Sequence, residues 1–263
     1  MRKFRKWVTE NKTLYLVLSC TCMMLFLVFL LVTEASTWMV AMTIIYLFYM
    51  TILYPNYCRI MQINEAIQVL NNQCDPYPLL EVTEQFLQKK HSELEKQIYE
   101  MNYCVALRDI GEYEKVYRIL SELNIDKCGG MTLVNKIVYY NNRADICTVM
   151  DKYEEADIWH KKMMQLYDGM RDGKTKQNLA RMIRLAEAAE LFRTGSYAET
   201  VKILRREEAN CVRQDVSNCM LCGRAYLKLG ETERAKEQLQ VVVDKGNRVY
   251  EVIEAKELLG GIR

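Results

Sequence analysis

Residues 217–246, SNCMLCGRAYLKLGETERAKEQLQVVVDKG, decide how most of this chain is read. Apolar residues recur at helical spacing over two runs of about 13 to 15 residues. The first run stops at Leu229-Gly230, where glycine supplies the left-handed backbone that ends a helix. Two such runs with so short a joint make a helical hairpin. Small residues stand where its helices must touch, Gly223 in the first and Ala235 in the second, and Tyr226, Leu227, Leu239 and Val242 fill the seam around them.

The pattern resembles the tetratricopeptide repeat, a unit of about 34 residues whose small residues let its two helices cross closely. Gly223, Tyr226, Gly230 and Ala235 match the family spacing, whereas Cys219 stands for its large aromatic residue and Asn247 for its closing proline. The template recurs at Gly111-Tyr113-Val116, at Asp151-Tyr153-Ala156 and at Gly195-Tyr197-Thr200. The turn positions 111, 151, 195 and 230 lie 40, 44 and 35 residues apart, and loops at 124–130 and 169–175 account for the longer gaps. The resemblance covers about residues 97–246 and implies an α-solenoid whose first helices line a concave, partner-holding face. Residues 250–259 have the length of the helix that caps such an array.

Composition agrees with an all-α chain. Only three prolines occur among 263 residues (Pro55, Pro76 and Pro78), all eleven glycines lie at or after Gly111, and half of the residues are hydrophobic. The ten cysteines are irregularly spaced and several sit on apolar helix faces, which points to a reducing compartment. Net charge is +2, but Arg2, Lys3, Arg5, Lys6 and Lys12 crowd the first 13 residues against Glu10. The remainder, 31 basic against 33 acidic residues, carries no basic footprint, so no nucleic-acid partner is expected.

Two uncharged apolar runs, 14–32 and 38–54, are read as two transmembrane helices forming an N-terminal hairpin, with Trp38 and Tyr54 at interfacial depth. Basic residues precede the first run and Arg59 follows the second, while the link 33–37 has none, so both termini are expected in the cytoplasm of a multi-pass cell-membrane protein. A cleaved signal peptide competes for the first run. Its apolar region exceeds the usual ~7–15 residues and no small-x-small site follows, and the second run would remain an anchor in any case. Neither run holds Asp, Glu, Lys, Arg or His, which favours an anchor over a transport path. The domain order is then a basic N-terminus 1–13, the hairpin 14–54, juxtamembrane helices 55–96 and the repeat domain with its cap, 97–263. As a whole the chain is similar to a membrane-anchored tetratricopeptide repeat protein of bacterial type.

No constellation points to catalysis. Cys219 and Cys222 form a C-x-x-C pair with Cys211 upstream, but the repeat frame turns both into the core and no fourth ligand lies nearby, so no metal is expected. Gly169 with Gly173-Lys174-Thr175 is one residue short of a phosphate loop and links helices instead of following a strand. His91 and His160 lack a nucleophile at any recognised spacing.

What remains is the inner face of the first helices. By the family's positions it holds Met101, Val105 and Arg108, then Asn141 with its neighbour Asn142 and Asp145, then Leu185, Phe192 and Arg193, then Met220, Arg224 and Lys228. Asn141 and Asn142 can donate to and accept from an extended peptide, and Arg193, Arg224 and Lys228 can hold a carboxylate. The expected function is a membrane-anchored, non-catalytic scaffold without cofactor that docks a protein or peptide. A peptide-binding signalling receptor is the alternative.

Overall fold

The computed structural model describes residues 2–33 and 36–262, which divide into two compact units, 1–66 and 67–263. Among the described residues the chain is all-helical, with fourteen α-helices, one π-helical turn and no strand.

The first unit pairs helical rods. Helix α1 (Arg2–Glu10) runs into α2 (Lys12–Val32) through Asn11, whose N–H donates to Trp7 O at 2.8 Å. Helix α3 (Thr37–Phe48) packs on α2 and passes through a π-helical turn (Tyr49–Leu53) into α4 (Tyr54–Gln73), which begins in this unit. Pro55 causes the irregular turn, because it offers no N–H to the carbonyls before it. Tyr15 Oη donates to one of them, Met50 O, at 2.9 Å. Val8, Tyr15 and Cys58 are buried together, Gln62 Nε2 donates to Arg5 O at 3.1 Å, and Arg5 pairs with Glu65.

The two apolar runs therefore differ. Within α2, Thr13–Leu30 is long and apolar enough to cross a membrane, with mean hydropathy 2.3 and 17% of its residues buried. The run 38–54 is instead a short apolar α-helix followed by the π-helical turn, so the expected pair of membrane helices reduces to one that meets the length requirement. Glu34 and Ala35 of the link lie outside the described residues.

The second unit is a run of hairpins. Helix α5 (Tyr77–Leu87) packs on α6 (Glu93–Asp109), and α6 starts at a capping box in which the Ser92 hydroxyl accepts from Glu95 N–H and the Glu95 carboxylate accepts from Ser92 N–H. The pairs α6 with α7 (Tyr113–Glu122), α8 (Leu133–Val149) with α9 (Tyr153–Asp168), α10 (Lys174–Arg193) with α11 (Tyr197–Arg206), and α12 (Val212–Leu229) with α13 (Thr232–Lys245) are the four repeated units, and α14 (Glu251–Gly261) closes the chain. Lys174 and Thr175, expected in a loop, open α10 because its first turn begins directly after Gly173.

One joint serves all four hairpins. Gly111, Asp151, Gly195 and Gly230 have φ of 87°, 58°, 85° and 76°, and Asp is among the residues that tolerate this left-handed region. Each next N–H reaches back to the carbonyl five residues before it: Glu112 to Leu107, Lys152 to Cys147, Ser196 to Leu191 and Glu231 to Tyr226, at 2.8–3.0 Å. The contact residues Val116, Ala156, Thr200 and Ala235 are at most 2% exposed. A Cβ added at Gly223 would lie 2.8 Å from the Leu239 side chain, so any larger residue at this crossing of α12 and α13 would force Leu239 to move.

The end of the array returns to its beginning. Tyr250 N–H donates to Asp109 O at 2.8 Å, Arg248 N–H to Cys74 O at 3.2 Å and Asn247 Nδ2 to Gln73 O at 2.8 Å. The Tyr250 ring lies edge-on to Tyr113 at 5.8 Å, and it fills the space that a side chain on residue 111 would need. Gly111→Ala, Gly195→Ala and Gly230→Ala all force alanine left-handed, at about 1–2 kcal/mol each. Only at Gly111 would the new Cβ also meet a ring carbon, at 2.6 Å. Urea unfolding is expected to rank Gly111→Ala lowest by a further ~1–3 kcal/mol, and equal losses at the three sites would contradict the ring contact.

Candidate functional site

The first helices α6, α8, α10 and α12 carry the positions assigned to the inner face, and a buried charge cluster joins the earliest to the latest. Arg213, at the start of α12, grips Asp109, at the end of α6, through Nε to Oδ2 and Nη2 to Oδ1, each 2.8 Å. Arg108 donates to the same Asp109 Oδ1 at 3.2 Å and to Asp145 Oδ2 on α8 at 2.9 Å. Glu251 of α14 lies 2.8 Å from Arg213 Nη2 and accepts from Ser217 Oγ at 3.1 Å. Asp109 and Arg213 are both buried. Burial by itself would raise the Asp109 carboxyl, but Arg213 and Arg108 hold it below the usual carboxylate range.

This cluster changes what the inner face offers. Arg108 and Asp145 are brought together and neutralise one another. Arg224 is paired with Glu254 of α14 at 3.0 Å, and Arg193 is paired with Glu190 and with Asp157 of α9, the latter at 2.5 Å. Phe192 packs edge-on to Tyr197 at 5.4 Å against the core of the third hairpin. Met101 and Met220 are buried rather than open to a partner. The side chains of Asn141, Asn142 and Lys228 make no hydrogen bond or ion pair among the described residues, the amides half-buried and the lysine exposed. Three of the seven polar or charged side chains among these positions are thus unengaged, and they are able to bond a peptide backbone or an acidic group.

Six of the ten cysteines are taken up by packing. Burial pushes the Cys219 and Cys104 thiols up to about 12, and those of Cys222, Cys147 and Cys74 up to about 11, so they stay protonated and unreactive at neutral pH. Cys219 and Cys222 are both buried, as the repeat frame requires. His91 lies edge-on to Tyr99 at 4.9 Å with its ring nitrogen on the Phe86 carbonyl. Among the described residues no three His, Cys, Asp or Glu side chains gather as a metal ion needs. The inner face presents hydrogen-bonding groups rather than a nucleophile with its base.

Asp109, Arg213 and Glu251 escaped sequence reasoning, because their partners lie as much as 104 residues apart and no local spacing marks them. The one available signal was Asp109 itself, an acid two residues before a hairpin turn.

No family model matches the chain. No curated protein matches it. Among solved structures, the crystal structure of Bacillus thuringiensis PlcR in complex with the peptide PapR7 and DNA is similar, with a TM-score of 0.54 and 15% identity over 83% of this chain and 79% of that one. The fold is a tetratricopeptide-like helical array. At this identity the likeness concerns architecture alone. It also corrects the expectation of no nucleic-acid partner: a protein of similar fold is held with DNA in that structure, so an array of this kind does not exclude nucleic acid.

A folded-state carboxyl value below that of the unfolded chain, ~3.9, gives stability that is complete above that value and lost as pH falls through the folded one. Asp109→Asn is expected to cost roughly 3–5 kcal/mol at pH 7, the scale for breaking a buried pair, and to flatten the acid-induced loss of stability. Unfolding midpoints measured between pH 3 and 7 check both, and an unchanged acid profile would contradict the role of Asp109.

Proposed function

We propose that this chain is a non-catalytic docking module, anchored in a membrane by its N-terminal rods, whose inner helix face binds an extended peptide segment of a protein partner in the cytoplasm. One observation carries the reading: Asn141, Asn142 and Lys228 are left without partners on a face where Arg108, Asp145, Arg193 and Arg224 are all engaged. Side-chain amides satisfy the N–H and C=O of an extended peptide, and the lysine adds a cation for an acidic group. The similar fold of PlcR, held with the peptide PapR7, supports a peptide as ligand. The anchor is supported by Thr13–Leu30, which is far less buried than the core helix of a soluble protein would be. The run 38–54 would return as a second crossing despite its π-helical turn, leaving the basic N-terminus and the array on one side.

A peptide-signalled receptor is the second reading. The closing contact between the first and fourth hairpins favours it, because a ligand on α8 that recruited Asp145 would disturb Arg108 and through it Asp109 and Arg213.

Selection of peptides from a random displayed library on the full chain tests the docking site. Enriched peptides are expected to bind about tenfold or more weakly to Asn141→Ala/Asn142→Ala/Lys228→Ala, and equal binding would overturn the assignment. A receptor would also show peptide-dependent proteolysis at residues 246–250, whereas a rigid dock would not. Labelling intact cells with a membrane-impermeant maleimide tests the topology: Cys128 and Cys211 should react only after permeabilisation, and labelling beforehand would place the array outside.

A further inference from the structure

Away from the inner face, the end of α11 and the α12–α13 turn enclose an open cleft of about 420 Å³. Its lining combines the apolar side chains of Val201, Tyr226 and Leu229 with the cations Lys202, Arg205 and Arg206. These three cations have no acidic partner among the described residues. Arginines elsewhere in the array are mostly neutralised, as at Arg108, Arg143, Arg184, Arg193, Arg213 and Arg224. Also in the lining, Arg234 is tied to Glu231 at 2.5 Å and sits 5.9 Å over the Tyr226 ring, which fixes that wall.

We infer that this cleft is a second docking site, for an acidic peptide segment that seats an apolar side chain against Val201, Tyr226 and Leu229 and pairs its carboxylates with Lys202, Arg205 and Arg206. The spacing i, i+3, i+4 sets the three cations along one turn of α11, about 5–6 Å. Charge spread in this way suits several carboxylates along one edge of a peptide better than a single phosphoryl group. The extent of the site separates peptide from other polyanions. Proteins that grip duplex DNA often make ~6–10 phosphate contacts and anionic membrane surfaces attract clusters of ~4–8 basic residues, both more than the three unpaired cations here. This inference is independent of the inner-face reading, since the two sites share no residue.

The test is fluorescence anisotropy on the full chain with a labelled, terminally blocked peptide alternating Glu with Leu around a central Phe. Its Gln-for-Glu counterpart, oligothymidylate of matching charge and phosphatidylserine vesicles serve as comparison probes. The Glu peptide is expected to bind, to weaken about tenfold or more with Arg205→Glu/Arg206→Glu, and to be unaffected by Asn141→Ala/Asn142→Ala. Both arginines are exposed, so the variant should melt as the parent does; if it unfolds, Arg205→Gln/Arg206→Gln should still give a severalfold loss. No binding of the Glu peptide, equal binding of the Gln counterpart, or affinity unchanged by either variant would overturn the site. So would oligothymidylate or vesicles displacing the peptide at lower charge concentration than the peptide itself requires, which would mark a phosphate-binding surface.

Discussion

A carboxylate removed from water, Asp109, holds a guanidinium that the sequence places 104 residues away, and the path of the array depends on that pairing. Burying two charges costs several kcal/mol per ion, and only well-formed bonds offset it. Here Arg213 meets Asp109 through two 2.8 Å contacts while Arg108, Ser217 and Glu251 satisfy the remaining groups. A chain of hairpins that touch only their neighbours would be free to open or close its curvature. Tying the start of α12 to the end of α6 removes that freedom, and the backbone bonds from residues 248 and 250 to Cys74 and Asp109 hold the same closure from the other side.

That closure also decides which surface groups are left for a partner. Arg108 and Asp145 are drawn into the cluster and Arg224 is held by the closing helix α14, so cations that a repeat alignment assigns to a groove are already spent on the fold. Asn141, Asn142 and Lys228 are spared. On the proposed reading, structure and recognition draw on the same charged positions, and an array closed in this way leaves the amides of its inner face and the cations of α11 for partners.

The hairpins were legible in the sequence because their determinants are local. A left-handed residue, a small contact residue five positions later and an apolar seam suffice, and they hold even at Asp151, where glycine is absent. The closure was not legible, since Asp109 and Arg213 belong to different repeats and neither stands out among 70 charged residues. Of the inner-face residues, sequence could name positions but not partners: Arg193 finds Asp157 across a gap in the chain that no helical spacing reveals. The second apolar run is less regular than its hydropathy implies, because hydropathy ignores Pro55, whose missing N–H disturbs the turn before it. Net charge failed similarly as a guide to partners, since a near-neutral total conceals three unpaired cations around one cleft.

Amide hydrogen exchange at residues 248 and 250 tests the closure most directly. Both amides sit in a short connection between α13 and α14, where an unrestrained chain would exchange rapidly. Closure through Cys74 O and Asp109 O predicts protection comparable to that of the buried middle of α12, together with its loss in Asp109→Asn. Rapid exchange at both positions, with α12 still protected, would show that the ends of the array part freely and that the account is wrong.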